Sequence, residues 1–358
     1  MKYLVKLAVV TFAAVLSLGA ISTASADKLK VGFIYIGPPG DHGWTYAHDQ
    51  GRLMLEEQLG DQVETTFVEG VPEGPDAERT IAKLAETGHK LIFTTSFGYM
   101  EPTLKAAKRF PDVKFEHATG YQQADNVATY SARFYEGRYV QGQIAAKMSK
   151  SGVIGYIASF PIPEVVRGIN AFMLGAQSVN PDMKVKVVWV YTWFDPPKEA
   201  DAAKVLMDQG ADMITQHTDS TAAIQAAADR GVLAFGQASD MIHFAPDTQL
   251  TANMNTWGPY YVARTQAVLD GTWTSGDTWH GMGDGMVVMA PFTNMPDSVR
   301  QMATETTAAL TSGKLHAFTG PIHNQAGELV VPAGETADDG MLAGMNFYVK
   351  GVDDKLPE

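Results

Sequence analysis

The chain has 358 residues, a formal net charge of −13 with neutral histidines, and no cysteine. This acidic balance argues against nucleic acid or an anionic membrane surface as a partner. The absence of cysteine from the sequence excludes disulfides, thiolate metal sites and a lipidated cysteine. The length exceeds what one hydrophobic core usually supports, so we expect two lobes of about 150 residues each.

Residues 1–26 have the pattern of a cleaved secretory signal peptide. Lys2 and Lys6 precede the apolar run LAVVTFAAVLSLGAI, and Ala24-Ser25-Ala26 forms a small-residue cleavage site. We predict cleavage before Asp27 and export to the periplasm as a soluble protein without a lipid anchor. A membrane-spanning helix is the alternative, but small residues interrupt the run, and no later segment reaches the ~20 apolar residues that a span needs.

After the leader, apolar β-branched runs alternate with helical patterns, which is typical of parallel sheets flanked by helices. Strands are predicted at KVGFIYIG, VETTFVEG, KLIFTTS, KFEHATG, NVATYSARF, GVIGYIAS, KVKVVWVYTW, ADMITQH, VLAFGQ, TANM and GMVVMAPF. Helices are predicted through Leu53 to Leu59 and at 76–88, 101–110, 136–148, 163–179, 196–209, 219–230 and 257–269. The segment after about Pro291 has no clear assignment.

This order predicts an α/β fold of two doubly wound parallel-sheet lobes joined by a multi-strand hinge. Lobe 1 should comprise 27–132 plus 254–282, and lobe 2 should comprise 133–253 plus 283–358. Open α/β sheets bind ligands at the carboxyl ends of their strands, so a cleft is expected where those ends face each other.

The residues that follow the predicted strands are candidates for this cleft. They occupy 41–44, 96–99, 117–121, 160–163, 191–195, 216–220, 237–240 and 253–257. These windows are rich in aromatic and amide side chains and contain no lysine or arginine. A neutral, flat ligand therefore fits them better than an anion.

The loop GPPGDHGWTYAHDQG after the first strand could serve three chemistries: a phosphate cradle, a metal cluster or a stacking surface. It matches neither GxxxxGK[ST] nor GxGxxG, and none of the strand-end windows contains a lysine or arginine to pair with a phosphate. His42 and His48 are six residues apart, so a helix would not place them on one face as metal ligands. We expect these histidines to be solvated.

Aromatic side chains at facing strand ends form the most economical candidate site. Trp44, Trp193, Phe97 and Phe160 could enclose a planar ring, since each stacked contact contributes ~0.5 to 1.5 kcal/mol beyond area burial. The alternative is that they are core residues, which we favour for Phe194 and Trp189. Asp240, after VLAFGQAS, would accept hydrogen bonds from ligand N–H or O–H groups.

Several stretches together resemble the basic membrane protein family of type I solute-binding proteins of ABC transporters, which includes purine nucleoside receptors. They are VGFIYIGPPGDHGWTYAHDQG, YEGRYVQGQIAAKMSKSGVIGYIAS, NAFMLGAQSVNPDMKVKVVWV, TWFDPPKEADAAKVLMDQGADMITQ, and GQASDM followed by TANM. Their order matches the family's from about residue 30 to 290. The resemblance implies a periplasmic-binding-protein-like I clamshell.

The resemblance also implies roles for individual residues. Two aromatic rings enclose a purine in the family, and these positions fall on Trp44 and Trp193, with Phe97 as a further aromatic residue. The family's late aspartate falls on Asp240, and Asp41 is expected at the edge of the base. The resemblance places the family's ribose-contacting lysine at Asn255, and the loss of that lysine favours a free base or another flat heterocycle over a nucleoside.

The predicted function is therefore that of a periplasmic solute-binding protein that binds a purine base, adenine-type favoured, or a purine nucleoside. Its partners would be this ligand and an ABC permease in the inner membrane; we expect a monomer without cofactor, metal or catalysis. Alternatives are a sensor subunit for another flat heterocycle and a nucleoside-processing enzyme. The enzyme is disfavoured because GxSxG, HExxH and a calcium-binding aspartate cluster are absent from the sequence.

Overall fold

The computed structural model describes residues 27–357, so the predicted signal peptide lies outside the described residues. The described chain up to residue 132 alternates strands and helices. It contains β1 (Leu29–Ile34), α1 (Trp44–Leu59), β2 (Val63–Val68), α2 (Pro75–Glu86), β3 (Leu91–Thr94), α3 (Met100–Arg109), β4 (Lys114–Ala118) and β5 (Val127–Ala132). These bounds follow the predicted alternation closely.

A second series follows with the same alternation. It contains α4 (Tyr135–Met148), β6 (Val153–Ala158), α5 (Pro163–Gln177), β7 (Lys184–Trp189), α6 (Pro196–Asp208), β8 (Met213–His217), α7 (Ala222–Asp229), β9 (Leu233–Ala238) and β10 (Gln249–Asn255). The remaining elements are α8 (Gly258–Leu269), β11 (Asp277–His280), β12 (Val287–Met289), α9 (Asp297–Thr311), β13 (Ile322–His323), β14 (Leu329–Val331) and α10 (Asp339–Ala343).

The strands form two six-stranded sheets, each the centre of one lobe. The lobe 1 sheet has the order β11-β5-β4-β3-β1-β2, and all its neighbouring pairs are parallel. The lobe 2 sheet has the order β12-β10-β9-β8-β6-β7, with only β12 antiparallel to its neighbour. The predicted α/β fold with two parallel-dominated sheets is confirmed.

Continuous burial explains why these strands read as apolar runs rather than as alternating ones. All four residues of β3, LIFT, are buried, as are the last four of β1. Strands covered by helices on both faces have no solvent side and therefore no polar alternation.

The described chain passes between the two sheets three times. The passages lie between β5 and α4, between β10 and α8, and between β11 and β12. The strand β11 was not predicted, because DTWH is short, polar and half exposed. None of the described helices is both long and apolar enough to cross a lipid bilayer.

The C-terminal segment, which the sequence left unassigned, packs on lobe 2. Helix α9 lies against α4, and α10 lies against α5. Val352 forms a parallel bridge with Val185 of β7, which extends that edge of the sheet.

Strand β7 ends earlier than predicted. The apolar run KVKVVWVYTW suggested a strand to Trp193, but the regular strand stops at Trp189. Tyr191 has a φ of 52°, a left-handed conformation that turns the chain out of the strand. Trp193 consequently lies in a loop at the end of the sheet.

Candidate functional site

A cavity lies between the lobes, beyond the carboxyl ends of the strands. It is lined by Ile36, Trp44, Ser96, Phe97 and Thr119 of lobe 1, and by Glu164, Trp193, His217, Asp219 and Gln237 of lobe 2. Its position is where open α/β sheets bind ligands. No lysine or arginine is among these ten described residues.

Trp44 forms one wall of the cavity at the beginning of α1. Its Nε1 donates a hydrogen bond to the Thr95 carbonyl oxygen at 2.6 Å. The ring meets His48 and Trp257 edge-on, with centroid distances of 4.4 and 5.4 Å. Only 9% of Trp44 is exposed, so the residue belongs to the hydrophobic core as well as to the cavity.

Trp193 forms a wall from the other lobe and is less buried than Trp44. Its ring packs against Phe160 at a centroid distance of 5.1 Å. Phe160 supports Trp193 in this way but is not among the cavity-lining residues. The indole Nε1 of Trp193 donates across the lobe boundary to Glu73 Oε1 at 3.2 Å. Phe97 lines the cavity from lobe 1.

Acidic groups line the lobe 2 side of the cavity. Asp219 is 4% exposed, and its carboxylate accepts no hydrogen bond from a described residue. Burial, reinforced by the charges of Asp41, Glu199 and Glu164, raises the pKa of Asp219 well above its ordinary value. A ligand N–H or O–H placed against this carboxyl would supply the partner that the protein does not.

His217 extends the polar surface beside these acids. Its Nε2 lies 3.3 Å from Glu164 Oε1. Burial lowers the pKa of His217 below its ordinary value, so the ring is neutral at pH 7. A neutral ring that donates from Nε2 to Glu164 carries its acceptor lone pair on Nδ1, which has no partner among the described residues.

Gln237 at the end of β9 is oriented by Arg138 of α4. Arg138 is fully buried and donates to the Gln237 side-chain oxygen and, at 2.7 Å, to the Gln216 carbonyl oxygen. Because the Gln237 oxygen is used in this way, its amide nitrogen is the donor that remains for a ligand. Burial lowers the pKa of Arg138 below its ordinary value.

Glu199 connects the two lobe 2 loops that carry Trp193 and Asp219 through hydrogen bonds. Its carboxylate accepts hydrogen bonds from the backbone N–H of Asp195 at 2.9 Å and of Ser220 at 3.0 Å. Burial raises the pKa of Glu199 above its ordinary value. The loops after β7 and β8 are therefore fixed relative to each other within one lobe.

Asp41 lies beneath the beginning of α1 and is not among the cavity-lining residues. Its carboxylate accepts from the backbone N–H groups of Gly43, Thr45 and Tyr46 at 2.8, 3.1 and 3.0 Å. These bonds satisfy free donors at the helix N-terminus and so position Trp44. Burial outweighs these hydrogen bonds and raises the pKa of Asp41 to about 6.

Asp240 and Asn255 lie together in a second, more open depression beside α1, away from the aromatic walls. Asp240 is exposed and accepts from Gln249 Nε2 at 2.6 Å. Asn255 is 7% exposed, and neither of its side-chain polar atoms has a partner among the described residues. The structure therefore brings together Trp44, Trp193 and Phe97 of the predicted set, but not these two residues.

The expectation that both histidines of the first loop are solvated is wrong for His48. This residue has no exposed surface, its ring stacks on Trp257 at 4.7 Å, and its Nδ1 contacts the Tyr261 hydroxyl. Residue spacing could not reveal this burial, since both partners come from α8 and its N-terminal cap, distant in sequence. Within residues 27–357 no three His, Asp or Glu side chains cluster so as to hold a metal ion.

The lobes touch directly beside the cavity. Ser239 of lobe 2 donates from its hydroxyl to the His42 carbonyl oxygen of lobe 1. The His42 ring lies 4.7 Å from that of Phe244. Together with the Trp193–Glu73 hydrogen bond, these contacts describe closed lobes.

Sequence reasoning did not single out the polar residues of the cavity. Asp219, His217 and Gln237 fall within the strand-end windows, but nothing in the sequence distinguishes them from their neighbours. Glu164 and Ile36 fall outside the windows. The signal that the sequence offers for Asp219, His217 and Gln237 is that each lies near the carboxyl end of a predicted strand.

The sequence model of the Bmp family, described as ABC transporter substrate-binding protein PnrA-like, matches residues 28–314. The chain belongs to the Bmp family. It is thus an ABC transporter substrate-binding protein, and the resemblance stated above is confirmed.

Relatives and solved structures agree with this assignment. This Bmp-family chain is 71% identical over 332 residues to a purine-binding protein of Brucella abortus (strain 2308), covering 93% of this chain and 95% of the relative. It is 36% identical over 335 residues to a Haloferax volcanii protein named as an ABC transporter glucose-binding protein, covering 93% and 83%. A solute-binding protein structure from Aeropyrum pernix K1 superposes with a TM-score of 0.70 at 19% identity, covering 88% of this chain and 95% of that one, which shows the shared fold.

Proposed function

We propose that this Bmp-family protein binds a purine base, adenine-type favoured, between its lobes in the periplasm and delivers it to an ABC permease in the inner membrane. It acts as a monomer without catalysis or cofactor. The lobes are 27–132 plus 254–282 and 133–253 plus 283–358. Residues 1–26 act as the signal peptide for export.

The main support for this proposal is a cavity with aromatic walls from both lobes and hydrogen-bond acceptors between these walls. Trp44 and Phe97 come from lobe 1, and Trp193 comes from lobe 2. Purine rings present flat faces for stacking and N–H groups at their edges. The Asp219 carboxyl supplies an acceptor for such an N–H, and the Gln237 amide nitrogen supplies a donor for a ring nitrogen.

The lining composition supports a neutral ligand. No cation is among the ten described residues that line the cavity, which leaves an anionic group of a nucleotide without a charged partner. The name of the Brucella abortus relative, at 71% identity, points to purines in the same way.

A purine nucleoside and a sugar are the competing ligands. By the family resemblance the ribose-contacting lysine falls on Asn255, and no lysine is among the described residues that line the aromatic cavity, so we favour the free base. The Haloferax volcanii relative is named for glucose, and sugars also pack on tryptophan faces beside carboxylates. Both ligands therefore belong in any test.

Binding and lobe closure are coupled in this proposal. A ligand that contacts Trp44 and Trp193 together binds the closed state better than the open state. Only this difference in affinity can drive closure, and the closed shape is what the permease recognises.

Mass spectrometry of the small molecule that co-purifies with the protein tests the proposal. We expect a purine base, and a thermal-shift panel of bases, nucleosides and sugars should show the largest stabilisation by the same compound. Recovery of a sugar, or conversion of a nucleoside during incubation, would contradict it. Neighbouring genes for a permease and an ATPase distinguish transport from sensing.

A further inference from the structure

Glu73 stands in the loop between β2 and α2, outside the cavity lining, yet it contacts residues that form that lining. Its Oε1 accepts from Ser96 Oγ at 2.6 Å and from the Gly98 backbone N–H at 2.9 Å, both within lobe 1. The same oxygen accepts from Trp193 Nε1 of lobe 2 at 3.2 Å. One carboxylate thus joins the walls of both lobes.

We propose that Glu73 is the closure latch of the binding site: a positioning residue that captures the indole N–H of Trp193 when the lobes close. This proposal rests on the cavity being the solute site. It concerns what holds the closed state, not which atoms touch the ligand.

The latch is assembled before closure. Ser96 and the Gly98 N–H belong to the same lobe as Glu73 and hold the carboxylate in open and closed states alike. A Cβ at Gly98 would overlap the Glu73 carboxylate, so glycine permits this close approach. Pre-positioning removes most of the side-chain entropy cost of the third hydrogen bond.

The Trp193 contact exists only when the lobes meet, since the two residues belong to different sheets. A hydrogen bond from an N–H to a charged acceptor is stronger than one between neutral groups. A contact present in one state alone shifts the equilibrium toward that state. It also fixes the Trp193 ring, which packs on Phe160, in the orientation that faces the cavity.

The experiment is a double-mutant cycle with Glu73→Ala and Trp193→Phe, which keeps a ring but removes Nε1–H. Adenine is the probe, with affinity from calorimetry and dissociation rate from stopped-flow fluorescence. Each single variant should bind adenine about tenfold more weakly, through faster dissociation, and the double variant should lose no more than either one. Glu69→Ala, an exposed residue of the same loop, is the matched control.

Additive losses would overturn the latch, because they would mean that Glu73 only supports its own loop. Unchanged affinity in both single variants would overturn it equally. A glutamine at position 73 keeps an acceptor oxygen, so Glu73→Gln should recover part of the loss.

Lobe closure without ligand separates this proposal from the proposed function. Because the sequence has no cysteine, dyes can be placed through Lys108→Cys on lobe 1 and Lys204→Cys on lobe 2, both exposed. Single-molecule energy transfer in the ligand-free protein should show a closed fraction that Glu73→Ala and Trp193→Phe lower by the same factor. If adenine does not bind the wild-type protein, the proposed purine function is wrong. If the closed fraction of Glu73→Ala and Trp193→Phe equals that of the wild-type protein, the proposed role of Glu73 is wrong.

Discussion

Gly43 of lobe 1 lies directly against the main-chain carbonyl of Asp219 in lobe 2, so closely that a Cβ at this position would overlap the carbonyl group. The loop that carries Trp44 thereby meets the loop that carries Asp219. The φ of Gly43 is −115°, outside the left-handed region, and the close approach to the Asp219 carbonyl leaves no room for a Cβ here.

Gly43→Ala should hinder lobe closure without unfolding either lobe. Overpacking of a tight contact costs about 1–3 kcal/mol, and here opening the cleft relieves it, so adenine affinity should fall about tenfold or more. Calorimetry measures the affinity, and circular dichroism checks the fold. Gly40→Ala is the matched control in the same loop, because its Cβ would meet open space; equal affinities for the two variants would contradict the account.

Trp193→Ala should weaken adenine binding by about 1–3 kcal/mol, the range found for loss of a base-stacking side chain. Thermal unfolding should change little, since Trp193 is half-buried in a loop. Trp44→Ala is a poorer test, because this ring lies in the core, where an alanine substitution also costs about 3–5 kcal/mol of stability. Tyr191→Ala, exposed in the same loop as Trp193, serves as the control; a loss no larger than the control's would argue against stacking.

Asp219→Asn should stabilise the ligand-free protein increasingly as pH rises. The pKa of Asp219 is raised in the folded state, so the folded protein binds this proton more tightly than the unfolded chain does. Wild type and variant should therefore match below about pH 4, near the unfolded pKa of an aspartate, and diverge above it in favour of the variant.

The comparison with the variant is needed because buried histidines act in the opposite direction. Burial lowers the pKa of His48, His117 and His217, so their contribution to stability is lost as pH falls. The measurement is the melting temperature of both proteins from pH 4 to 8. If the difference in melting temperature between the two proteins stayed constant from pH 4 to 8, ionisation of the Asp219 carboxyl would not destabilise the folded state.

The same variant should bind adenine more weakly although it is more stable. An asparagine keeps one oxygen acceptor but replaces the other with an amide donor, so affinity should fall about tenfold. Asp240→Asn provides the contrast, because Asp240 is exposed in the second depression. We expect its affinity to stay within about twofold of wild type. If calorimetry showed the larger loss of adenine affinity for Asp240→Asn, then Asp240 and not Asp219 would be the aspartate that binds the ligand.

The fold could be predicted because its cause is local. Strands such as GVIGYIAS and VLAFGQ are apolar except at their last residue, since helices cover both of their faces. The site was partly predictable, because Trp44, Phe97 and Trp193 are aromatic and follow strand ends.

The rest of the site depends on contacts that no local pattern encodes. Nothing in the sequence shows that Asp219 is buried without a partner or that Arg138 lies behind Gln237. His48 was misjudged because its partners come from α8 and its N-terminal cap, and Glu73 was missed because its role exists only across two lobes. Such features arise when distant segments meet.

Calorimetric titration of ligand-stripped protein with adenine, adenosine and glucose is the decisive measurement of which ligand the cavity binds. We expect saturable binding of one adenine per chain, tighter than that of adenosine, with no measurable heat from glucose. Tight binding of glucose with no heat from adenine would contradict it.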